Sequence, residues 1–175
     1  MKVLVGYATG EGQTRKIARR IADLVADRGR AVELLALDDA EHIALQRFDR
    51  VILAASIHAG HYQKALSDFA GRHSDGLNDM PTLFLSVSLS AAGHEAEDWR
   101  GLQHVLEDLE AATGWAPGRT EQIAGAYRPA EYDLFRRFIM RRIIADKDPD
   151  ADLDNGKEYT DWEALDRLIE HWIDG

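Results

Sequence analysis

The chain has 175 residues, 45% of them hydrophobic, which is enough for one well-packed domain. It contains no cysteine, and this excludes disulfides, thiolate metal sites and cysteine nucleophiles. A net charge of -10 argues against a general affinity for nucleic acid. No apolar run is long enough to span a bilayer, so we expect a cytoplasmic protein.

Short apolar runs alternate with helical patterns along the chain. The runs are typical of strands buried on both faces of a parallel sheet and lie at Val3–Tyr7, Ala31–Leu37, Arg50–Ala55, Thr82–Val87 and Gln122–Ala126. Helices are predicted at Thr14–Arg28, Tyr62–His73 and Trp99–Thr113, with a short, weaker one within Asp38–Phe48 and a last one from a capping-box pattern at Thr160–Glu163 to about Trp172. This alternation predicts a single doubly wound α/β domain over residues 1–175.

The first strand is followed by a loop of small and hydroxyl residues, Thr9–Thr14, that leads directly into a helix. In such sheets, ligands bind beyond the carboxyl ends of the strands. The loop lacks the lysine of a Walker A loop, and Arg15 stands where a dinucleotide fingerprint needs its third glycine. Its hydroxyls and free helix amides could bind a terminal phosphate. An ordinary strand-to-helix turn capped by threonine is the alternative interpretation.

The third strand ends in a second candidate loop, Ala55–Tyr62. A flat ring needs an apolar or aromatic wall and close backbone approach, which Gly60 allows. The side chains that could form this wall are Ile57, His58 and Tyr62. Two other interpretations stay open for His58 and His61. They could be metal ligands, although no carboxylate cluster accompanies them, or surface histidines at a helix start.

The fourth strand ends in a third loop, Ser86–Gly93, which is rich in small residues. Together the three loops resemble the FMN-binding loops of flavodoxins, and Thr9–Thr14 resembles their phosphate loop, with Glu11 where a threonine is common. The resemblance implies an FMN cofactor and a flavodoxin-like three-layer fold with strand order 2-1-3-4-5. The cofactor-binding residues that it implies are Thr9, Gly10, Glu11, Gly12, Gln13, Thr14, Ser56, Ile57, His58, Ala59, Gly60, His61, Tyr62, Ser86, Val87, Ser88 and Leu89.

Segments from the whole chain resemble one branch of this superfamily, the flavodoxin-type, quinone-linked protoporphyrinogen IX oxidases. These segments are Thr14–Ala18, Ala55–Tyr62, Ser86–Val87, Ile123–Ala126 and Tyr159–Glu163. The resemblance implies an FMN-dependent dehydrogenase of haem biosynthesis that oxidises protoporphyrinogen IX and passes electrons to menaquinone or ubiquinone. A flavodoxin-like electron carrier with a protein redox partner is one alternative, and a nicotinamide-fed quinone reductase is another. No residue is identified as a general base.

The family resemblance also implies a late insertion, residues 127–158. From Arg128 to Arg142 it carries five arginines against two acids, a local net charge of +3. A helix here would place its large apolar side chains on one face and most arginines on the other. Such a helix could lie on an anionic membrane surface at the inner face of the cell membrane, bind substrate carboxylates, or pack its apolar face on the sheet. The candidate substrate or membrane residues are Arg128, Arg136, Arg137, Phe138, Arg141 and Arg142.

An acidic run follows this predicted helix, with aspartates at 148, 150, 152 and 154. It resembles a calcium-binding loop only loosely, because Gly156 falls one place late and a bidentate glutamate is missing. We therefore expect a solvated loop and no metal site in this segment.

Overall fold

The computed structural model describes residues 1–175 and has a parallel sheet at its centre. In chain order the strands are β1 (Lys2–Ala8), β2 (Ala31–Ala36), β3 (Arg50–His58), β4 (His61–Tyr62), β5 (Thr82–Ser88), β6 (Arg119–Ala124), β7 (Ala126–Tyr127) and β8 (Lys157–Glu158). The five long strands follow the order β2-β1-β3-β5-β6. When the two-residue β4, which pairs antiparallel with β3, is not counted, this is the predicted order 2-1-3-4-5. The predicted fold class is confirmed.

Helices cover both faces of this sheet. They are α1 (Gln13–Asp27), α2 (Lys64–Arg72), α3 (Ser74–Asn78), α4 (Ala96–Thr113), α5 (Leu134–Lys147) and α6 (Trp162–Asp174). On one face, α1 and α6 bury residues such as Ile17 and Ile169 against the sheet. On the other, α2 and α4 do the same with residues such as Phe69 and Leu109. Because β1, β3 and β5 are covered on both sides, their sequences are almost continuously apolar.

Two sequence predictions for local structure are wrong. Instead of one helix within Asp38–Phe48, the chain forms two three-residue 3-10 turns, held by buried Leu37 and Leu45, with Ala44 extended between them. The fifth long strand begins at Arg119 rather than Gln122. It is an edge strand with partly exposed side chains, so polar residues are tolerated in it. Its first residues therefore do not form the apolar run from which a strand is predicted.

The last helix begins one residue later than the capping-box pattern indicates. Asp161 is the N-cap, and its carboxylate accepts a hydrogen bond of 2.9 Å from the amide of Ala164. The Thr160 hydroxyl instead donates a bond of 2.6 Å to the carbonyl oxygen of Ala124. Thr160 therefore fastens the start of α6 to the end of β6.

The insertion leaves and rejoins the domain through an antiparallel pair, β7 and β8, and carries α5 between them. Asp133 caps α5 by accepting a 2.7 Å bond from the amide of Arg136. A small separate core of Tyr127, Tyr132 and Ile144 holds the insertion together. None of the helices in the protein is both long enough and apolar enough to cross a membrane.

The apolar face of α5 points to solvent, so the packing of this face on the sheet, one of the interpretations of the sequence, is wrong. Leu134, Phe135 and Phe138 are 82%, 74% and 59% exposed, and Ile139 and Ile143 are also exposed. The opposite side of the helix faces the domain. The hydrophobic periodicity of the sequence identified the two faces correctly but did not show which one is buried.

The acidic run after α5 is a turn in which Asp150, Asp152 and Asp154 are exposed, so the prediction of a solvated loop is confirmed, and internal hydrogen bonds hold the turn together. Asp148 accepts bonds of 2.8 Å from the Lys157 ammonium and 2.6 Å from the Tyr159 hydroxyl. Asp152 accepts bonds from the amide and side chain of Asn155. No group of three or more histidine, aspartate or glutamate side chains in the protein is arranged to hold a metal ion.

Candidate functional site

A cavity of about 500 Å³ lies at the carboxyl ends of the central strands, under α5. The predicted cofactor residues that line it are Glu11, Gln13, Thr14, Ser56, Ile57, His58, Ala59, Gly60, Val87, Ser88 and Leu89. Members of all three predicted loops therefore meet at one cavity. This is the position at which open parallel sheets bind their ligands.

The remaining predicted cofactor residues do not line this cavity. They are Thr9, Gly10, Gly12, His61, Tyr62 and Ser86. Tyr62 is buried, with its ring 5.1 Å from that of Phe84 and its hydroxyl donating a 2.9 Å bond to the buried Ser86. Tyr62 and Ser86 thus belong to the core beneath the cavity, and the ring wall expected of Tyr62 is not at the cavity surface.

The first loop has the features that a phosphate group requires. Thr9 stabilises the loop itself, because its hydroxyl accepts a 3.0 Å bond from the amide of Gly12. Thr14 lines the cavity, is only 1% exposed, and its hydroxyl has no hydrogen-bond partner. Helix α1 begins at Gln13, and the first amides of a helix lack partners within the helix. A buried hydroxyl and free amides at the positive end of a helix dipole fit an anion.

Two arginines of the insertion reach this loop. Arg136 forms an ion pair with Glu11, and both side chains are largely buried. Arg128 donates bonds of 3.4 Å to the Glu11 carbonyl oxygen and 2.5 Å to the Gln13 side-chain oxygen. The side-chain amide of Gln13 in turn donates a 3.0 Å bond to the carboxylate of Glu158, at the far end of the insertion. The insertion is therefore fastened to the first loop at both of its ends.

The second loop is a tight hairpin between β3 and β4. Its two central residues, Ala59 and Gly60, have positive φ angles of 50° and 77°. Such a pair is typical of two-residue hairpins. A Cβ atom added to Gly60 would meet no atom within 4 Å, so within the protein alone it is the left-handed backbone rather than crowding that requires glycine. The space beside Gly60 belongs to the cavity, where a flat ring could approach the backbone.

The insertion supplies a wall of the cavity that was not predicted from the sequence. Arg136, Met140 and Ile144 are four residues apart on α5, so they share the helix face that lines the cavity. Lys147, one turn further on, forms a 2.6 Å ion pair with Asp98 at the start of α4. The spacing of Met140 and Ile144 from Arg136 was the available signal, but these residues lie outside the apolar stripe that dominated the pattern.

Two polar side chains at the cavity, Tyr159 and Asp148, are joined by a hydrogen bond that shifts the pKa of each. The Tyr159 hydroxyl donates its 2.6 Å bond to the carboxylate of Asp148. Burial, and secondly this hydrogen bond, raise the pKa of Tyr159 far above its ordinary value. The bonds from Lys157 and Tyr159 lower the pKa of Asp148. Tyr159 is therefore a neutral hydrogen-bond donor and Asp148 a charged acceptor at neutral pH.

The other candidate arginines of α5 lie away from the cavity. Arg137 donates a 2.9 Å bond to the carbonyl oxygen of Pro129, and Arg141 forms a 2.6 Å ion pair with Asp154. Arg142 is exposed and lies over the ring of an exposed phenylalanine. Of the candidates on this helix, only Arg136 contributes to the cavity lining.

Comparisons with known proteins agree with this architecture. A family model described as a flavodoxin domain matches residues 4–154. A protoporphyrinogen IX dehydrogenase (quinone) from Escherichia coli K12 is 33% identical over 165 residues, which cover 94% of this chain and 91% of the relative. A protein of the same name from Leishmania major is 30% identical over 170 residues, covering 95% and 72% of the two chains. The crystal structure of oxidised flavodoxin 1 from Bacillus cereus shares the fold, with a TM-score of 0.61, 16% identity and coverage of 99% and 98%.

Proposed function

This chain belongs to the flavodoxin family, and we propose that it is an FMN-dependent dehydrogenase of protoporphyrinogen IX with a quinone as electron acceptor. The names of the Escherichia coli and Leishmania major relatives supply the substrate and the acceptor. The observation that carries the proposal is the single cavity at which all three flavodoxin-like loops meet the insertion.

The residues around the cavity fit FMN. The unpartnered hydroxyl of Thr14 and the first amides of α1 would bind its phosphate. The backbone at Ala59 and Gly60, with Ile57 and Leu89, would hold its ring. When bound, the flavin supplies the redox chemistry, and the protein positions it and sets its electrostatic environment.

The insertion gives this cavity features that an electron carrier does not need. Met140 and Ile144 form an apolar cover over it, with the exposed Ile143 at its rim, and would exclude water from the reacting atoms. Tyr159 keeps its proton in the hydrogen bond to Asp148, so its hydroxyl would offer a bound ring only an acceptor and would not act as a base. A carrier that exchanges electrons with a protein partner would instead need an open flavin edge.

The exposed apolar side chains of α5 support a location at a membrane surface. Five large apolar residues are exposed on this one helix: Leu134, Phe135, Phe138, Ile139 and Ile143. Burial of such side chains in the acyl boundary is favourable by about 1.5–3 kcal/mol each. A quinone resides in the bilayer, so α5 would place the cavity next to its electron acceptor. We propose peripheral association with the inner face of the cell membrane.

The function can be tested by anaerobic oxidation of protoporphyrinogen IX. Purified protein loaded with FMN and mixed with protoporphyrinogen IX should produce fluorescent porphyrin only when menaquinone or ubiquinone is present. Heat-denatured protein with quinone is the control for uncatalysed oxidation. If porphyrin does not form but quinone is reduced at the expense of a nicotinamide cofactor, the protein is a quinone reductase instead. If neither occurs and the flavin exchanges electrons only with a protein, it is an electron carrier.

A further inference from the structure

An acidic side chain stands in the loop that would hold the phosphate of FMN. Glu11 lines the same cavity as Thr14, and only 16% of its side chain is exposed. A carboxylate this poorly solvated repels a second anion nearby unless a cation compensates it. The loop therefore needs a positive partner if it is to bind phosphate.

Arg136 is that partner, and its hydrogen-bonding capacity is only partly used. One terminal nitrogen of its guanidinium donates to Glu11, while its Nε is buried and has no hydrogen-bond partner. A guanidinium has five N–H donors in a plane and binds carboxylate and phosphate oxygens in pairs. The ring of Tyr132 lies 4.7 Å from the guanidinium carbon and holds it in place. Arg136 is thus a fixed cation at the cavity with donors to spare.

We propose that Arg136 is part of the phosphate-binding group, and that Glu11 and the FMN phosphate compete for it. This inference rests on the proposed binding of FMN. Without flavin, the Glu11 carboxylate is the anion that satisfies Arg136. With flavin, the phosphate shares or takes this guanidinium. Since Arg136 belongs to α5, the cofactor phosphate would also help to hold the insertion over the cavity.

Three variants separate this competition from a purely structural ion pair. Glu11→Gln removes the negative charge but keeps an oxygen that can accept the bond from Arg136. Arg136→Gln removes the cation and leaves Glu11 unpaired beside the phosphate. The double variant restores the charge balance of the wild type without the ion pair. Arg100→Gln, an exposed position on α4, has the same charge change as Arg136→Gln and serves as the matched control.

The measurement is the dissociation constant of FMN and of riboflavin, from flavin fluorescence titrations of each apoprotein. For FMN we expect Glu11→Gln to bind about tenfold more tightly and Arg136→Gln about ten- to a hundredfold more weakly, from the charge change beside a poorly solvated dianion. The double variant should lie between them. Riboflavin, which lacks the phosphate, should bind all variants and the Arg100 control about equally.

Two other results of these titrations would contradict the proposed competition. Equal changes for FMN and riboflavin, or no change in FMN affinity for both single variants, would overturn the inference, because the pair would then act only on the shape of the cavity. Circular dichroism shows whether each variant is folded. Arg136→Lys preserves the positive charge and should keep most of the FMN affinity. If the wild type binds neither flavin, it is the proposed function that fails, and the inference falls with it.

Discussion

The sheet and the insertion contribute opposite walls to one cavity but are built by opposite rules. In the sheet region, apolar side chains point inward, and residues such as Leu53 and Leu85 are fully buried. In the insertion, α5 turns a charged side chain, Arg136, toward the cavity and exposes its phenylalanines. The first arrangement, with apolar side chains buried, is typical of a domain that folds in water. The second is the arrangement expected of a helix that lies at a membrane surface, as proposed for α5, and the four predictions below test this contrast.

The largest effect is expected from making the exposed face of α5 polar. Phe135→Gln together with Phe138→Gln should leave the fold intact, since both side chains are mostly exposed. Each lost burial costs about 1.5–3 kcal/mol at a membrane, so binding to anionic vesicles should fall about a hundredfold or more. Vesicle co-sedimentation measures this. Trp99→Gln, an exposed aromatic residue on α4, is the matched control. Unchanged vesicle binding by the double variant would contradict the proposed location of α5 at a membrane surface.

The next effect concerns how firmly the insertion is joined to the sheet. Gly156 has a φ of +91°, and a Cβ there would lie 2.2 Å from the carbonyl oxygen of Tyr127. Gly156→Ala should therefore lower the free energy of unfolding by about 3 kcal/mol in urea titrations. Gly29→Ala, with a φ of +69° but open space around the added atom, should cost only about 1 kcal/mol. Equal losses would show that the crowding at Tyr127 is relieved at no cost.

A smaller and more selective effect is expected at Thr14, on the sheet side of the cavity. Thr14→Val removes a buried hydroxyl that has no partner, so the apoprotein should be as stable as the wild type or more stable. FMN should bind about ten- to a hundredfold more weakly, since a hydrogen bond to a charged group is worth about 1.5–3 kcal/mol.

A second threonine provides the control for this prediction. The hydroxyl of Thr113 donates a 2.8 Å bond to the carbonyl oxygen of Leu109, so Thr113→Val should lose stability without losing FMN affinity. Fluorescence titration and urea unfolding of both variants make the comparison. Equal FMN binding by Thr14→Val and the wild type would place the phosphate elsewhere.

The smallest effect is expected in the hairpin of the second loop. Ala59 is the only residue other than glycine with a positive φ, and relief of this strain by Ala59→Gly should raise stability by about 0.5 kcal/mol. Ala44→Gly, at an extended and exposed position, should instead lower it by about 0.5–1 kcal/mol. Thermal unfolding of the two variants gives the signs. A loss at both positions would mean that the Ala59 conformation carries no strain.

The sheet and its loops could be predicted from the sequence because their signals are local. Buried parallel strands are continuous apolar runs, and loops that bind ligands must follow them, which located Thr14 and Gly60 correctly at the cavity. What failed within this region were weak local patterns. The polar start of the edge strand at Arg119 is one example.

The inner wall of the insertion could not be predicted, because its direction depends on contacts distant in sequence. The orientation of α5 is fixed by partners such as Glu11 for Arg136 and Asp98 for Lys147. A helical period shows that two faces differ, but only these partners show which face is turned inward. The burial of Tyr62 could not be predicted for the same reason, because its hydrogen bond to Ser86 joins two loops that are distant in the sequence.

The pairing of β7 with β8 brings the two ends of the insertion together. Ala126 lies opposite Glu158 and Tyr127 opposite Lys157, so the chain leaves and returns at neighbouring points. A two-residue Asn-Gly turn could close this hairpin in place of residues 128–156 without moving the sheet. The same junction could accept a different segment of similar or greater length, since closing a longer loop costs little extra entropy. One short hairpin thus separates a flavodoxin scaffold from the insertion, the part that we propose gives it a particular substrate and location.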